Sequence, residues 1–107
     1  MSVMVLACYK PKTDKDNALL TLLKTHLPTL RKEGLVGEGP SLCGRAKDGT
    51  YVEVFCWKSQ SAIDAAHTNE VVGKMWNAFA EVCDFTVIAD VEGAKDMFTA
   101  LMPIDLA

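Results

Sequence analysis

The chain has little with which to build a metal centre or hold a nucleic acid. Its four cysteines, Cys8, Cys43, Cys56 and Cys83, are widely spaced and form no C-x-x-C pair. The closely paired ligands of a zinc site are therefore missing, and no metal site is expected. Lysine and arginine number 11 against 14 acidic residues, a net charge of −3. Without a basic cluster to neutralise phosphates, no nucleic-acid partner is expected. No apolar run approaches the ~20 residues of a membrane span, so no membrane partner is expected either. Met1–Tyr9 is apolar but has neither a basic start nor a small-residue cleavage site, which argues against a secretory signal. The expectation is a cytoplasmic protein whose reduced thiols pack as small apolar groups. Gly37-Glu38-Gly39-Pro40 lacks the third glycine and the following helix of a phosphate loop. There is no repeat, low-complexity segment or linker, and no Ser-His-Asp constellation can be argued.

What the chain does have is hydrophobic residues, 50% of its 107 positions. That is enough for the core of one domain spanning residues 1–107. Val3–Tyr9 is a continuous apolar run and reads as a strand buried on both faces, ended by Pro11. Thr13 or Asp14 is placed to cap a helix from Lys15, in which Ala18, Leu19, Leu22, Leu23, Leu27 and Leu30 make an apolar stripe. Pro28 should kink or break that helix, and Gly34 should stop it. Leu42–Ala46 and Tyr51–Trp57 read as antiparallel strands about a Lys47-Asp48-Gly49 turn. Ser59 or Ser61 can cap a short helix ending near His67, and Asn69 a longer one over Glu70–Cys83. Phe85–Ala89 reads as a fourth strand, and Ala94–Ala100 as a short helix before an apolar tail.

The order β-α-β-β-α-β predicts an α+β, ferredoxin-like antiparallel sheet with helices on one face. Strand Val3–Tyr9 is apolar on both sides, and Val52, Val54 and Cys56 line the back of Tyr51–Trp57. Two helices cover only one face, so the second would be a large bare apolar patch. A second copy of the chain, face to face in a two-fold dimer, is the economical cover. The tail residues Phe98, Leu101, Met102 and Ile104 have no place in the minimal fold and are candidates to reach across that interface.

Tyr51, Glu53, Phe55 and Trp57 alternate and so share one side of a strand, a carboxylate among three aromatics. In a dry interior Glu53 suits a general base. Its structural alternative is an ion pair with Arg45 across the turn. His67, at the junction of two helical segments, suits acid–base work or donation to a ligand carbonyl, or else a local bond to backbone carbonyls. Trp57, Trp76, Phe79 and Met75 can line an aromatic-binding pocket or serve as plain core, with Phe55 as a further wall of the pocket. Tyr9 can bring its hydroxyl to the mouth, and Asn69 can touch a ligand or simply cap. A cysteine nucleophile is weakened because Cys56 falls on the opposite face from Trp57. His26, beside Pro28, reads as a surface or kink residue.

Over nearly its whole length the chain resembles the dimeric α/β-barrel superfamily, in particular the small antibiotic-biosynthesis-monooxygenase-like proteins. The resemblance is carried by the strand ending at Trp57-Lys58-Ser59, by Ala62-Ile63 and Ala66-His67, and by Met75-Trp76 with Phe79. It implies a homodimer whose two sheets close into a barrel, with a cleft between sheet and helices. It also implies a cofactor-independent monooxygenase acting on an aromatic or quinol-like small molecule, with Glu53 or His67 as base. The alternative is a non-catalytic or structural homodimer that binds a small apolar molecule. Haem-degrading relatives carry an Asn, a Trp and a haem-ligating His where this chain has Ala7 or Cys8, Ala66 and Trp76, so haem chemistry is not implied. Quinol-type relatives often carry a Glu and a second His where this chain has Phe55 and Val72. The acid here sits instead at Glu53, on the same strand face.

Overall fold

A computed structural model describes all of residues 1–107. The elements run β1 (Val3–Pro11), α1 (Asp16–Lys32), β2 (Leu42–Arg45), β3 (Tyr51–Trp57), α2 (Gln60–Ala66), α3 (Glu70–Val82), β4 (Cys83–Thr86) and β5 (Met102–Pro103). They form an α+β fold around one antiparallel sheet of order β4-β1-β3-β2-β5, consistent with the ferredoxin-like expectation.

The apolar stripe of α1 is the reason that helix lies on the sheet. Leu19, Leu23, Leu27 and Leu30 are all buried, and each is worth roughly 1.5–3 kcal/mol relative to exposure. The same stripe carries His26, which is also buried. The helix runs through Pro28 without the expected break, because Leu27 and Leu30 on either side of it are anchored in one cluster with Phe55 and Trp57. Its end is a Schellman motif. Gly34 takes φ 75°, its N–H donates to Arg31 O at 3.0 Å, and Leu35 N–H donates to Leu30 O at 3.0 Å. The start differs from expectation. A turn closed by Lys15 N–H onto Lys12 O puts Asp14 at φ 63°, and Lys15 takes the cap position without a side-chain bond. Asp16 then supplies the first-turn negative charge that suits the helix dipole.

In α2 and α3 the caps are the expected ones. Ser59 Oγ accepts from Ala62 N–H at 3.1 Å, and Asn69 Oδ1 accepts from Val72 N–H at 3.0 Å. The β2–β3 turn is closed by Ala46 N–H to Thr50 O at 2.8 Å, with Gly49 at φ 93°. Its register sets Arg45 opposite Tyr51, and Cys43 opposite Glu53. Arg45 therefore does not pair with Glu53. It bonds Asp16 Oδ1 at 3.3 Å, and the Tyr51 hydroxyl donates to the same carboxylate.

Three further expectations are corrected. β4 ends at Thr86, opposite Cys8, and residues 88–90 turn away as a single 3₁₀ turn, so the expected strand over Phe85–Ala89 is cut short. The tail folds back on its own chain as β5 beside β2, and Ile104 N–H donates to Cys43 O at 2.9 Å. Leu101 presses on Gly44, where a Cβ would lie 2.7 Å from the Leu101 Cβ; only glycine fits there. Residues 94–100 form turns rather than a helix. Val91 and Leu101 cover Cys8, Ala46 and Val52, so part of the second sheet face is covered from within the chain. The rest stays open: Met4, Leu6 and Leu42 are 71%, 56% and 74% exposed.

Candidate functional site

β1 and β3 pair with Ala7 opposite Glu53 and Tyr9 opposite Tyr51. This puts the Tyr9 and Glu53 side chains on the helix side of the sheet, under α1. Glu53 is fully buried there, and its Oε1 is the meeting point of two groups. Tyr9 O–H donates to it at 2.9 Å, and His26 Nδ1 lies 2.8 Å away. His26 Nε2 in turn lies 3.3 Å from Trp76 Nε1. The network thus ties together β1, β3, α1 and α3. Glu53 Oε2 has no hydrogen-bond partner. Burial first, then the charge of Glu53 and the hydrogen bond to it, push the pKa of the Tyr9 hydroxyl well up, so it stays a donor. Burial, with Glu53 adding to it, pushes the Cys43 thiol up to about 12.

Aromatic rings enclose the imidazole. Tyr9, Phe55 and Phe79 stand edge-on to His26 at 6.2, 5.6 and 5.3 Å between centroids. Beside it lies a cavity of about 380 Å³ whose walls are mostly apolar, within the volume range of small-molecule sites. Val5 to Tyr9, His26, Phe55, Trp57, Ile63, Trp76, Phe85 and Thr86 line it. It sits where β4 stops short, so that the Val5–Ala7 stretch of β1 has no β4 residue beside it.

The structure gathers most of the residues expected from the sequence, though not all of them. Tyr9, Phe55, Trp57 and Trp76 line the cavity. Glu53 stands behind that wall, reached through Tyr9 and His26. Phe79 is wholly buried core stacked on Tyr9 at 5.3 Å. Asn69 is occupied in capping α3, and its amide donates to Glu33 at 3.1 Å. His67 is exposed at the end of α2, its Nδ1–H directed at Ile63 O at 2.8 Å and its ring 5.7 Å from that of Trp76. It lines no part of the cavity and is not joined to Glu53. The imidazole that meets Glu53 is that of His26, a residue to which the sequence reading gave no role. The missed signal was spacing. His26 lies three residues after Leu23 and four before Leu30, on the same buried stripe.

No group of three or more His, Cys, Asp or Glu side chains is arranged to hold a metal ion. No helix is long and apolar enough to cross a membrane. Set against known proteins, the chain matches no protein-family model, and no curated protein or solved structure matches it significantly.

Proposed function

We propose that the protein is a cofactor-independent monooxygenase-like enzyme acting on an aromatic or quinol-like small molecule in the cavity beside His26. The observation that supports this most is a mostly apolar cavity of about 380 Å³ backed by a buried imidazole–carboxylate pair. An apolar wall selects a flat hydrophobic body, and a basic group at one point of it activates a hydroxyl on that body. The reaction balances without an added reductant. A naphthol and O₂ give a quinone and water: one oxygen atom enters the ring, the other leaves as water, and the substrate supplies the electrons.

The exposed apolar residues of the open sheet face, Met4, Leu6 and Leu42, support a homodimer closed sheet to sheet, as in the dimeric α/β barrels. The alternative reading, a non-catalytic binder of small apolar molecules, is favoured by one feature: Glu53 Oε1 is already taken by two protein groups.

Oxygen uptake by the purified protein with a panel of naphthols and quinols tests the proposal. Uptake that falls at least a hundredfold in Glu53→Gln is expected, the usual scale for loss of acid–base assistance being roughly 10²–10⁴. Tryptophan-fluorescence quenching by the same compounds with no oxygen uptake would select the binder, and no response in either measurement would sink both readings.

A further inference from the structure

We infer that His26 Nε2 is the proton acceptor of this cavity and that Trp76 Nε1–H is the donor that holds the anion formed, so that the ligand is an aromatic compound with an acidic hydroxyl. The inference rests on the reading of the cavity as the binding place of a small aromatic molecule. It assigns the chemistry to two residues the sequence did not single out for it.

The hydrogen bonds fix where the protons are. An indole N–H only donates, so its contact of 3.3 Å with His26 Nε2 places a lone pair on that nitrogen. The ring proton then sits on Nδ1 and donates to Glu53 Oε1 at 2.8 Å. Glu53 is thereby a positioning residue. It holds the imidazole in the tautomer whose free nitrogen is directed toward Trp76, and its charge stabilises an imidazolium if one forms. Both His26 and Trp76 line the cavity, whereas Glu53 does not. Of the side-chain hydroxyls in the lining, that of Tyr9 is committed to Glu53, and that of Thr86 is no base. Nε2 is therefore the side-chain base that a bound hydroxyl would meet.

The Trp76 contact is longer than the ~2.9–3.0 Å of a well-formed N–H hydrogen bond, which makes it one a better donor displaces. When a ligand O–H takes its place, the O–H bond breaks, the proton passes to Nε2, and the electron pair stays on the ligand oxygen. The imidazolium so formed is paired with Glu53. Nε2 can no longer accept, so the Trp76 N–H is released from it and donates to the adjacent phenolate oxygen. The swap leaves the net charge of site and ligand unchanged, and it leaves no polar hydrogen of the pair without a partner. Phe55, Trp57 and Ile63 face the aromatic body. A ring without a hydroxyl gains only the apolar contact.

Absorbance titration with para-nitrophenol, buffered below the phenol's own pKa, reads the proton directly because phenol and phenolate have different bands. Wild-type protein should bind it and raise the phenolate band. His26→Gln keeps a donor toward Glu53 but has no base, and should bind the compound as the neutral phenol. Trp76→Phe keeps an aromatic wall without the N–H; it should bind para-nitrophenol about tenfold more weakly, the loss of one charge-assisted hydrogen bond, and nitrobenzene unchanged. The Trp76 variant answers the question even if His26→Gln does not fold. Binding of para-nitrophenol as the neutral phenol by wild type, a phenolate band that survives in His26→Gln, or equal weakening of both compounds in Trp76→Phe would overturn the inference and leave the cavity reading intact. No binding of either compound would overturn both. Phenolate binding without oxygen uptake by any naphthol would sustain the inference and sink the oxygenase.

Discussion

On the helix side of β1 and β3, Tyr9, Tyr51, Glu53, Phe55 and Trp57 are all buried, while on the other side of the same strands Met4 and Leu6 remain 71% and 56% exposed. The two faces are similar in apolar content but differ in what completes them. The helix face is finished by α1 and α3 and can therefore shelter a carboxylate, an imidazole and a tyrosine hydroxyl that satisfy one another. The open face holds no polar network, and only its Cys8–Val52 end is covered, by Val91 and Leu101. A strand apolar on both faces by its composition is thus buried on one by its own chain and left largely exposed on the other.

The sharpest way to break this contrast is to hollow out the helix face. Phe79→Ala removes a wholly buried ring stacked on Tyr9 and should cost about 3–5 kcal/mol in urea unfolding. Glu53→Ala orphans the Tyr9 O–H and the His26 Nδ1–H together. A loss of roughly 2–4 kcal/mol is expected from two buried donors left without an acceptor, and Glu53→Gln, which keeps an acceptor, should lose less. On the open face the same kind of measurement should barely move. Leu6→Lys is expected to change the chain's own stability by no more than about 0.5 kcal/mol, yet to shift the protein from dimer to monomer in sedimentation velocity. A wild-type monomer would refute the partner-covered face.

The thiols divide in the same way. Cys43, on the helix face, has its pKa raised from 9.0 to about 12 by burial and by Glu53. A raised folded-state pKa means that the associated stability is complete below pH 9.0, the thiol's ordinary value, and is lost as pH climbs toward 12. Cys43→Ala should make that part of the alkaline stability loss disappear. At neutral pH a maleimide should label the half-buried Cys56 of the other face well before Cys43.

The architecture was legible because its signals are periodic and local. The α1 stripe, the Ser59 and Asn69 caps, the Asp48-Gly49 turn and the alternation of Tyr51–Trp57 each follow from a few adjacent residues. Elements set by tertiary pairing were not legible. The β2–β3 register sets Arg45 two residues along β3 from Glu53 and sends it to Asp16 instead. β4 ends early and opens the cavity, and the tail finds its place only because Gly44 gives Leu101 room. Of the site, the strand contribution was readable from alternation. The histidine that meets Glu53 was not picked out, because a capping position is conspicuous in a sequence, whereas His26 hides among the leucines of a helix and is found by counting turns.

The fit of Leu101 over Gly44 also bears on the order of folding. The contact joins residues separated by β3, α2, α3 and β4, and β5 adds only Met102 and Pro103 to the ladder. Closing so long a loop carries an entropic cost that such a short strand repays poorly until the rest of the sheet is in place. The segment from Leu101 to Ile104 is therefore expected to behave as a late latch. Its release before the central strands should show as maleimide labelling of Cys43 in mild denaturant that precedes the loss of tryptophan fluorescence from the helix side.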